Sequence, residues 1–396
     1  MDFLKRAEEL YDWLVTVRRD IHSHPELSFE ERRTSALVAS FLEEWGYVVR
    51  PIGGTGVHGV LKRVAGSPVA AIRADMDALP IEEESGVPFA SVYPGKMHAC
   101  GHDIHTTCAL GAARMLSEAA AQGLLPGGVV LLFQPAEELN KGAETLLLDG
   151  ALASPKVDIL FALHNHPSYP AGSIAVREGA QMAAVDTLKI AVQGRGSHGA
   201  IPHESNDPFP AVASLIMNLQ TIVSRNMDPQ EPAVLSFGSI HGGAANNVIP
   251  EHIALTGTIR SFSPEARDLL HERVREIAQG TAEAFRCPIH VDIRRDLPAV
   301  LNDPLSYRCC VQAAKDIVGA ERVVSPVPSM GGEDFALFQQ IVPGCMFWLG
   351  VRNETIDARY PWHSPRFTAD ESALPVGAAV LARSAVLAME ALSSQA

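Results

Sequence analysis

Four short, almost continuously apolar runs, 69–74, 129–133, 159–163 and 346–351, constrain what this chain can fold into more than any other feature of its sequence. Each has the length of a strand, with Gly or Pro nearby, and stretches such as 104–121 between them are long enough for helices. A strand that is apolar on both faces has to be covered on both faces. A mostly parallel sheet flanked by helices meets that demand, because its crossover helices lie over the sheet. Helical spacing also marks 2–22 (Leu4, Leu10, Trp13, Leu14, Val17), 31–45 (Ala36, Leu37, Phe41, Leu42) and 305–318. The outer parts of the chain therefore read as α/β.

The middle reads differently. A strand at 187–193, a helix at 209–224, strands at 234–240 and 253–262, a helix at 264–285 and a strand at 289–293 follow one another. That order is β-α-β-β-α-β, the ferredoxin-like arrangement, which makes a compact α+β unit by itself. At 396 residues the chain exceeds one typical domain. We expect one domain from 1–183 and 297–396 and an inserted one from 184–296.

Hydrophobic residues at 47% and charged residues at 20% describe a folding chain and exclude a disordered or collagen-like one. A net charge of −14, with no basic run, argues against a nucleic-acid partner. The first turns carry Asp2, Lys5, Arg6, Glu8 and Glu9, and no run reaches ~18 apolar residues, so neither a signal peptide nor a membrane span is expected. The six cysteines show no C-x-x-C and no disulfide pattern, and with the plain N-terminus they suggest a cytoplasmic protein.

Cys100 stands apart for its neighbours. Residues 97–105, Met-His-Ala-Cys-Gly-His-Asp-Ile-His, gather a thiol, three imidazoles and a carboxylate in one loop before a helix. Thiolate and imidazole suit zinc and other borderline metals. His98 and His105 read equally well as core or surface residues. Glu137 and Glu138 follow the run 129–133, His164 ends 159–163, His363 lies beyond 346–351, and Asp75 and Asp77 follow 69–74. In a parallel sheet such positions converge outside the carboxyl ends of the strands. Cys100, His102, Glu138, His164 and His363 are more candidate ligands than one tetrahedral ion uses, which points to two metals about 3.5–4 Å apart.

These residues sit in motifs with a family resemblance. His98-Ala99-Cys100-Gly101-His102-Asp103, Gln134-Pro135-Ala136-Glu137-Glu138, Leu163-His164-Asn165-His166-Pro167 and Gly332-Glu333-Asp334-Phe335 resemble those of the aminoacylase and hippurate-hydrolase branch of the dinuclear metallopeptidases. Plant auxin-amino-acid conjugate hydrolases belong to the same branch. The likeness runs from Arg19-Asp20-Ile21-His22-Ser23-His24-Pro25-Glu26 to His363-Ser364-Pro365-Arg366-Phe367, nearly the whole chain.

The resemblance implies that 1–183 and 297–396 form a catalytic domain binding two divalent cations, zinc, manganese, nickel or cobalt. It implies that 184–296 is a lid that joins copies into a homodimer or higher homo-oligomer. Cys100, His102, Glu138, His164 and His363 match its metal ligands and Glu137 its general base. His198 in Gly196-Ser197-His198-Gly199 matches the residue that assists the oxyanion, in related enzymes from the opposite subunit. Asn247, Arg260 and Gly332 match substrate contacts, although Gly331 and Gly332 also read simply as a turn and Arg260 as a surface residue of a strand. Other branches carry His-x-Asp where this chain has Asp75-Met76-Asp77, so those aspartates are expected to support the ligands rather than bind metal.

The implied activity is cleavage of the amide bond of a small N-acyl amino acid by a metal-activated water, giving a carboxylic acid and an amine. A dipeptidase or aminopeptidase, or an inactive relative that only binds acyl amino acids, are the alternatives. Gly194-Arg195-Gly196-Ser197-His198-Gly199 fits G-x-G-x-x-G, but Pro202 follows at once and the next helix starts only near Phe209, so a dinucleotide site is not expected. No G-x-S-x-G nucleophile elbow is present.

Overall fold

The computed structural model describes residues 1–61 and 66–394. They divide into two compact units, one of Met1–Gln181, Leu301–Val327 and Asp334–Ala396, the other of Met182–Val300 and Pro328–Glu333.

The first unit is built on an eight-stranded sheet. Its spatial order is Val48–Ile52, Gly56–Leu61, Gly128–Gln134, Val69–Asp75, Ile159–Pro170, Gly344–Arg352, Ile174–Ala175, Val323–Val324. The four central strands run parallel. All seven residues of Val69–Asp75 and all seven of Gly128–Gln134 are buried, as strands covered on both faces require. Leu14, Ile21, Leu110 and Val380 from the helices pack with Ile72, Phe161 and Phe347 from the sheet in one core.

Three features depart from the sequence reading. The periodic stretch 2–22 is two helices, Phe3–Glu9 and Tyr11–Ser23, separated at Leu10. The strand after 163 does not stop at His164 but continues to Pro170, because Gly344–Arg352 pairs with it along that length. His102 is not in a loop but is the first residue of the helix His102–Ala121. The edge hairpin Val48–Leu61 was unread because Arg50 and Pro51 interrupt any apolar pattern. The C-terminal helix Leu374–Ser393 was also unread, and the segment Glu371–Ser393 has the length and mean hydropathy, 1.6, of a membrane span. Its most apolar window is 83% buried within the protein, so it is a core helix, apolar on all sides because it is covered on all sides.

The second unit holds an antiparallel four-stranded sheet in the order Val234–Gly242, His252–Ser261, Ala184–Gln193, Ile289–Leu297. With the helices Pro208–Arg225 and Pro264–Phe285 the chain order is β-α-β-β-α-β, the ferredoxin-like arrangement. Asp207 and Ser263 start those helices, accepting from the N–H groups of Phe209 and Ala266, with Pro just after each cap. Leu188, Ile190, Leu215, Leu219, Leu270 and Val274 fill the core.

Candidate metal centre

Because Gly128–Gln134, Val69–Asp75, Ile159–Pro170 and Gly344–Arg352 are parallel neighbours, the residues at or beyond their carboxyl ends share one edge of the sheet. Cys100 and His102 reach that edge from the start of the helix His102–Ala121. Gly101 between them has φ +88°, and a Cβ there would lie 2.2 Å from Asn165 Nδ2, so conformation and space both require glycine. Asn165 Nδ2 in turn donates to Cys100 O at 2.6 Å, tying the loop to the neighbouring strand.

The five expected ligands come together. Ligand atoms of Cys100, His102 and His164 lie within 4.8 Å of one another, and so do those of Cys100, Glu138 and His363. Cys100 Sγ is 3.6 Å from His164 Nε2, and Glu138 Oε1 is 3.4 Å from His363 Nε2 and 3.9 Å from His102 Nε2. Two overlapping triads sharing one sulfur could hold two adjacent cations. Glu137 joins His102 and Glu138 in a third such group. The remaining polar valences fit cations as well: among the described residues His102 Nε2 and Glu138 Oε1 are buried and make no hydrogen bond.

The opposite ring nitrogens are held. His164 Nδ1 is 2.7 Å from its acceptor Asn165 O, and His102 Nδ1 is 3.2 Å from Asp77 Oδ1, which leaves each Nε2 facing the cluster. Asp77 also accepts the backbone N–H groups of Glu137 and Glu138, both at 3.1 Å, so one carboxylate positions a ligand imidazole and both glutamates. Asp75 has both oxygens engaged, by Arg73 Nη1 at 2.7 Å and His105 Nδ1 at 2.6 Å. His363 adopts φ +63°, a costly backbone for a non-glycine residue, fixed by its N–H bond to Ala99 O at 2.9 Å.

Burial, with the Glu138 charge behind it, pushes the Cys100 thiol well above its ordinary range. Burial opposes a charged His102, yet Asp75 and the hydrogen bond to Asp77 outweigh it and hold that ring well above the imidazole range. Burial and then His105 hold His164 well below it. The Glu138 carboxylate, 3.4 Å from its Nε2, raises His363. Thiolate and neutral imidazole are the forms that bind a cation, so metal uptake at such a cluster is coupled to pH.

Several participants were not legible as such. His105 accepts the Asn165 N–H on Nε2 at 2.9 Å, and His98 is 1% exposed with burial holding it down to about 4. Asp334 accepts from Arg73, Gln134 and the N–H of Ala143 within 2.9 Å. His105 stood in the dense motif 97–105, and its spacing from His102 puts the two on one helix face, but neither signal gave it this role.

The other expected residues lie in the second unit, in two places. His198, exposed, stands opposite Val248 in the paired two-residue strands Ser197–His198 and Val248–Ile249, and Gly199 N donates to Asn247 O at 2.7 Å. Arg260 is half-buried and its Nη1 is 3.5 Å from where a Cβ on Gly332 would sit. That Cβ would also lie 2.3 Å from Val185 Cγ2, so the glycine is required for packing. The segment 194–199 leads into a two-residue strand and a short 3-10 turn rather than a helix N-terminus, so it offers no dinucleotide cradle.

A cluster of thiol, imidazole and carboxylate donors at the carboxyl edge of a parallel sheet places the protein among the metal-dependent hydrolases. More narrowly, the chain belongs to peptidase family M20/M25/M40, whose model matches residues 71–386. Its relatives include the N-acetylcysteine deacetylase of Bacillus subtilis (strain 168), 40% identical over 381 residues, covering 96% of this chain and 97% of that one. The IAA-amino acid hydrolase ILR1-like 2 of Arabidopsis thaliana is 39% identical over 391 residues, covering 98% and 87%. Among solved structures, the Bacillus subtilis YXEP protein, described as a dinuclear metal binding peptidase from the M20 family, superposes with a TM-score of 0.86 at 37% identity, covering 97% and 99%.

Proposed function

We propose that this protein is a two-metal amidohydrolase that cleaves the amide bond of small N-acyl amino acids, with Cys100, His102, Glu138, His164 and His363 as ligands. The observation that carries this is the pair of donor triads sharing Cys100, with Glu137 beside them. The relatives named for N-acetylcysteine and for IAA-amino acid conjugates support the substrate class. Two bound divalent cations would supply Lewis acidity, polarising the amide carbonyl and lowering the pKa of water. Glu137 takes the proton of the attacking water and returns it to the amide nitrogen, so that the C–N bond breaks to an acid and an amine. His198 as oxyanion donor, and Asn247, Arg260 and Gly332 as substrate contacts, rest on the motif resemblance. A guanidinium such as Arg260 matches the carboxylate every N-acyl amino acid carries.

Zinc, manganese, nickel and cobalt all suit a mixed sulfur, nitrogen and oxygen donor set. We assign residues 1–183 and 297–396 to the catalytic domain and 184–296 to a lid that joins copies into a homo-oligomer, although 182–183, 297–300 and 328–333 group by contact with the second unit. Support for the latter is that Val234–Gly242 lies at the edge of its sheet and that Phe209, Met217 and Ile240 are about half or more exposed. All six cysteines are free and buried, which supports a reducing, cytoplasmic setting.

The test is a screen of acetyl, benzoyl, indolyl-acetyl and long-chain acyl amino acids, with dipeptides, against the metal-reconstituted protein. At least one N-acyl amino acid should be cleaved with kcat/KM ten times or more above any dipeptide, a margin of about 1.4 kcal/mol. Turnover of dipeptides alone, or binding without turnover, would reject the proposal.

A further inference from the structure

The turn carrying Glu137 and Glu138 does not hold itself in place. It runs from the strand Gly128–Gln134 to the helix Gly142–Leu148, with Ala136 at φ +52° and Asn140 at φ +54°, both in the left-handed region that side chains disfavour. It also doubles back so closely that a Cβ on Gly142 would lie 1.7 Å from Pro135 O. Strain of this kind persists only where the surroundings over-determine it.

Buried carboxylates supply that determination from three directions. Asp77 accepts the N–H groups of Glu137 and Glu138, and Asp334 accepts that of Ala143 at 2.9 Å. Glu31 Oε1 accepts the N–H of Ala136 at 2.9 Å, at the left-handed residue itself. Asp334 is neutralised by Arg73 at 2.8 Å, and Asp77 is bonded to His102. Glu31 has a different situation. It is 0% exposed, it comes from 105 residues earlier in the chain, and Thr55 Oγ1 donates to its Oε2.

Glu31 precedes the helix Arg32–Glu44, where an acidic residue ordinarily serves the helix. Here that task belongs to Glu26, whose oxygens accept the N–H groups of Arg33 at 2.9 Å and Thr34 at 2.8 Å. The Glu31 carboxylate is thereby free to reach across to the turn. Burying a carboxylate is costly unless its hydrogen bonds are made, and one that it makes is to the strained residue next to Glu137.

We propose that Glu31 is a positioning residue for Glu137: by fixing the N–H of Ala136 it sets the course of the turn and so the point at which the Glu137 carboxylate meets water. The inference rests on Glu137 being the proton acceptor. A misplacement of about 1 Å at a reacting group can cost ~10²-fold in rate.

Glu31→Leu, Glu31→Gln, Glu137→Gln and the double variant Glu31→Leu/Glu137→Gln are to be compared for metal content, Tm, kcat and KM on the best substrate. Glu31→Leu should keep its metal and its KM within about twofold while kcat falls ~10–100-fold. Glu31→Gln should keep most of kcat, since its amide oxygen can accept from Ala136 and its amide nitrogen can donate to Thr55. In the Glu137→Gln background Glu31→Leu should cost no more than about a further twofold, because an absent base cannot be misplaced. If Glu31→Leu does not fold, Glu31→Asp, which is too short to make the contact, carries the same expectations. A kcat loss that persists undiminished in the Glu137→Gln background, or a loss of metal with Glu31→Leu, overturns this inference alone. Full activity of Glu137→Gln instead removes the base assignment, and the inference with it.

Discussion

The two units bury charge in different ways. In the first, Arg73, Asp75, Asp77, His102, Asp103 and Asp334 are each at most 1% exposed, and most of them converge on one edge of the sheet. In the second, within the four-stranded sheet and its two helices, the buried charges are one group, Asp186 with Arg267 and His271. Both sheets have well-filled apolar cores, so charge is not needed to complete either one. A group removed from water without need of the core is retained for another purpose, and in the first unit the geometry of that purpose is a donor cluster. The trio around Asp186 compensates itself and presents no open donor set, so it reads as structural.

The largest expected effect separates the two adjacent glutamates. Glu137→Gln should lower kcat by about 10²–10⁴ while metal content is unchanged. Glu138→Gln should lose metal, with part of its activity restored at high metal concentration. Metal loss with Glu137→Gln and retention with Glu138→Gln would exchange the two assignments.

The structural trio should respond in the opposite sense. Removing Asp186 leaves the Arg267 cation and the His271 ring without their shared partner, and Asp186→Ala should destabilise the protein by about 3–5 kcal/mol. Metal content and kcat per folded molecule should stay within about twofold of wild type. Depletion of metal at unchanged stability would break the distinction between the two units.

The smallest effect concerns a buried imidazole away from the cluster. Burial holds His58 down to about 4 against an ordinary 6.5, and its Nε2 faces Ala151 O at 3.2 Å. Between those pH values the unfolded chain binds a proton that the folded chain refuses, so this contribution is complete above pH 6.5 and is lost as pH falls toward 4. His58→Gln should make the fall in Tm over that window shallower by about 2 °C or more. An unchanged slope would locate the acid sensitivity elsewhere, with His98 and His166, which burial also lowers to about 4, the next to substitute.

What could be read from sequence was whatever a residue declares through its own neighbours. The run 129–133 is apolar on both faces and 69–74 is so but for Arg73, and their strands are buried throughout. Cys100, His102, Glu137, Glu138, His164 and His363 lie in dense motifs, and parallel strands bring their positions to one edge. Val48–Ile52 was hidden because an edge strand with Arg50 and Pro51 lacks alternation. Glu31 was hidden for another reason: it looks like an ordinary acidic residue before a helix, and its partner Ala136 is brought to it only by the folded chain. Which donors share an ion, and which carboxylates only support them, are likewise facts of tertiary packing.

The most direct test of a hydrolase that depends on two metals is a titration. Protein stripped by chelator and verified metal-free by elemental analysis should hydrolyse no N-acyl amino acid. Activity should rise on adding zinc, manganese, nickel or cobalt and level off at about two equivalents per chain, with a stoichiometry near one in His164→Ala. Full activity in the verified metal-free protein would contradict the account and return Cys100 to consideration as a nucleophile.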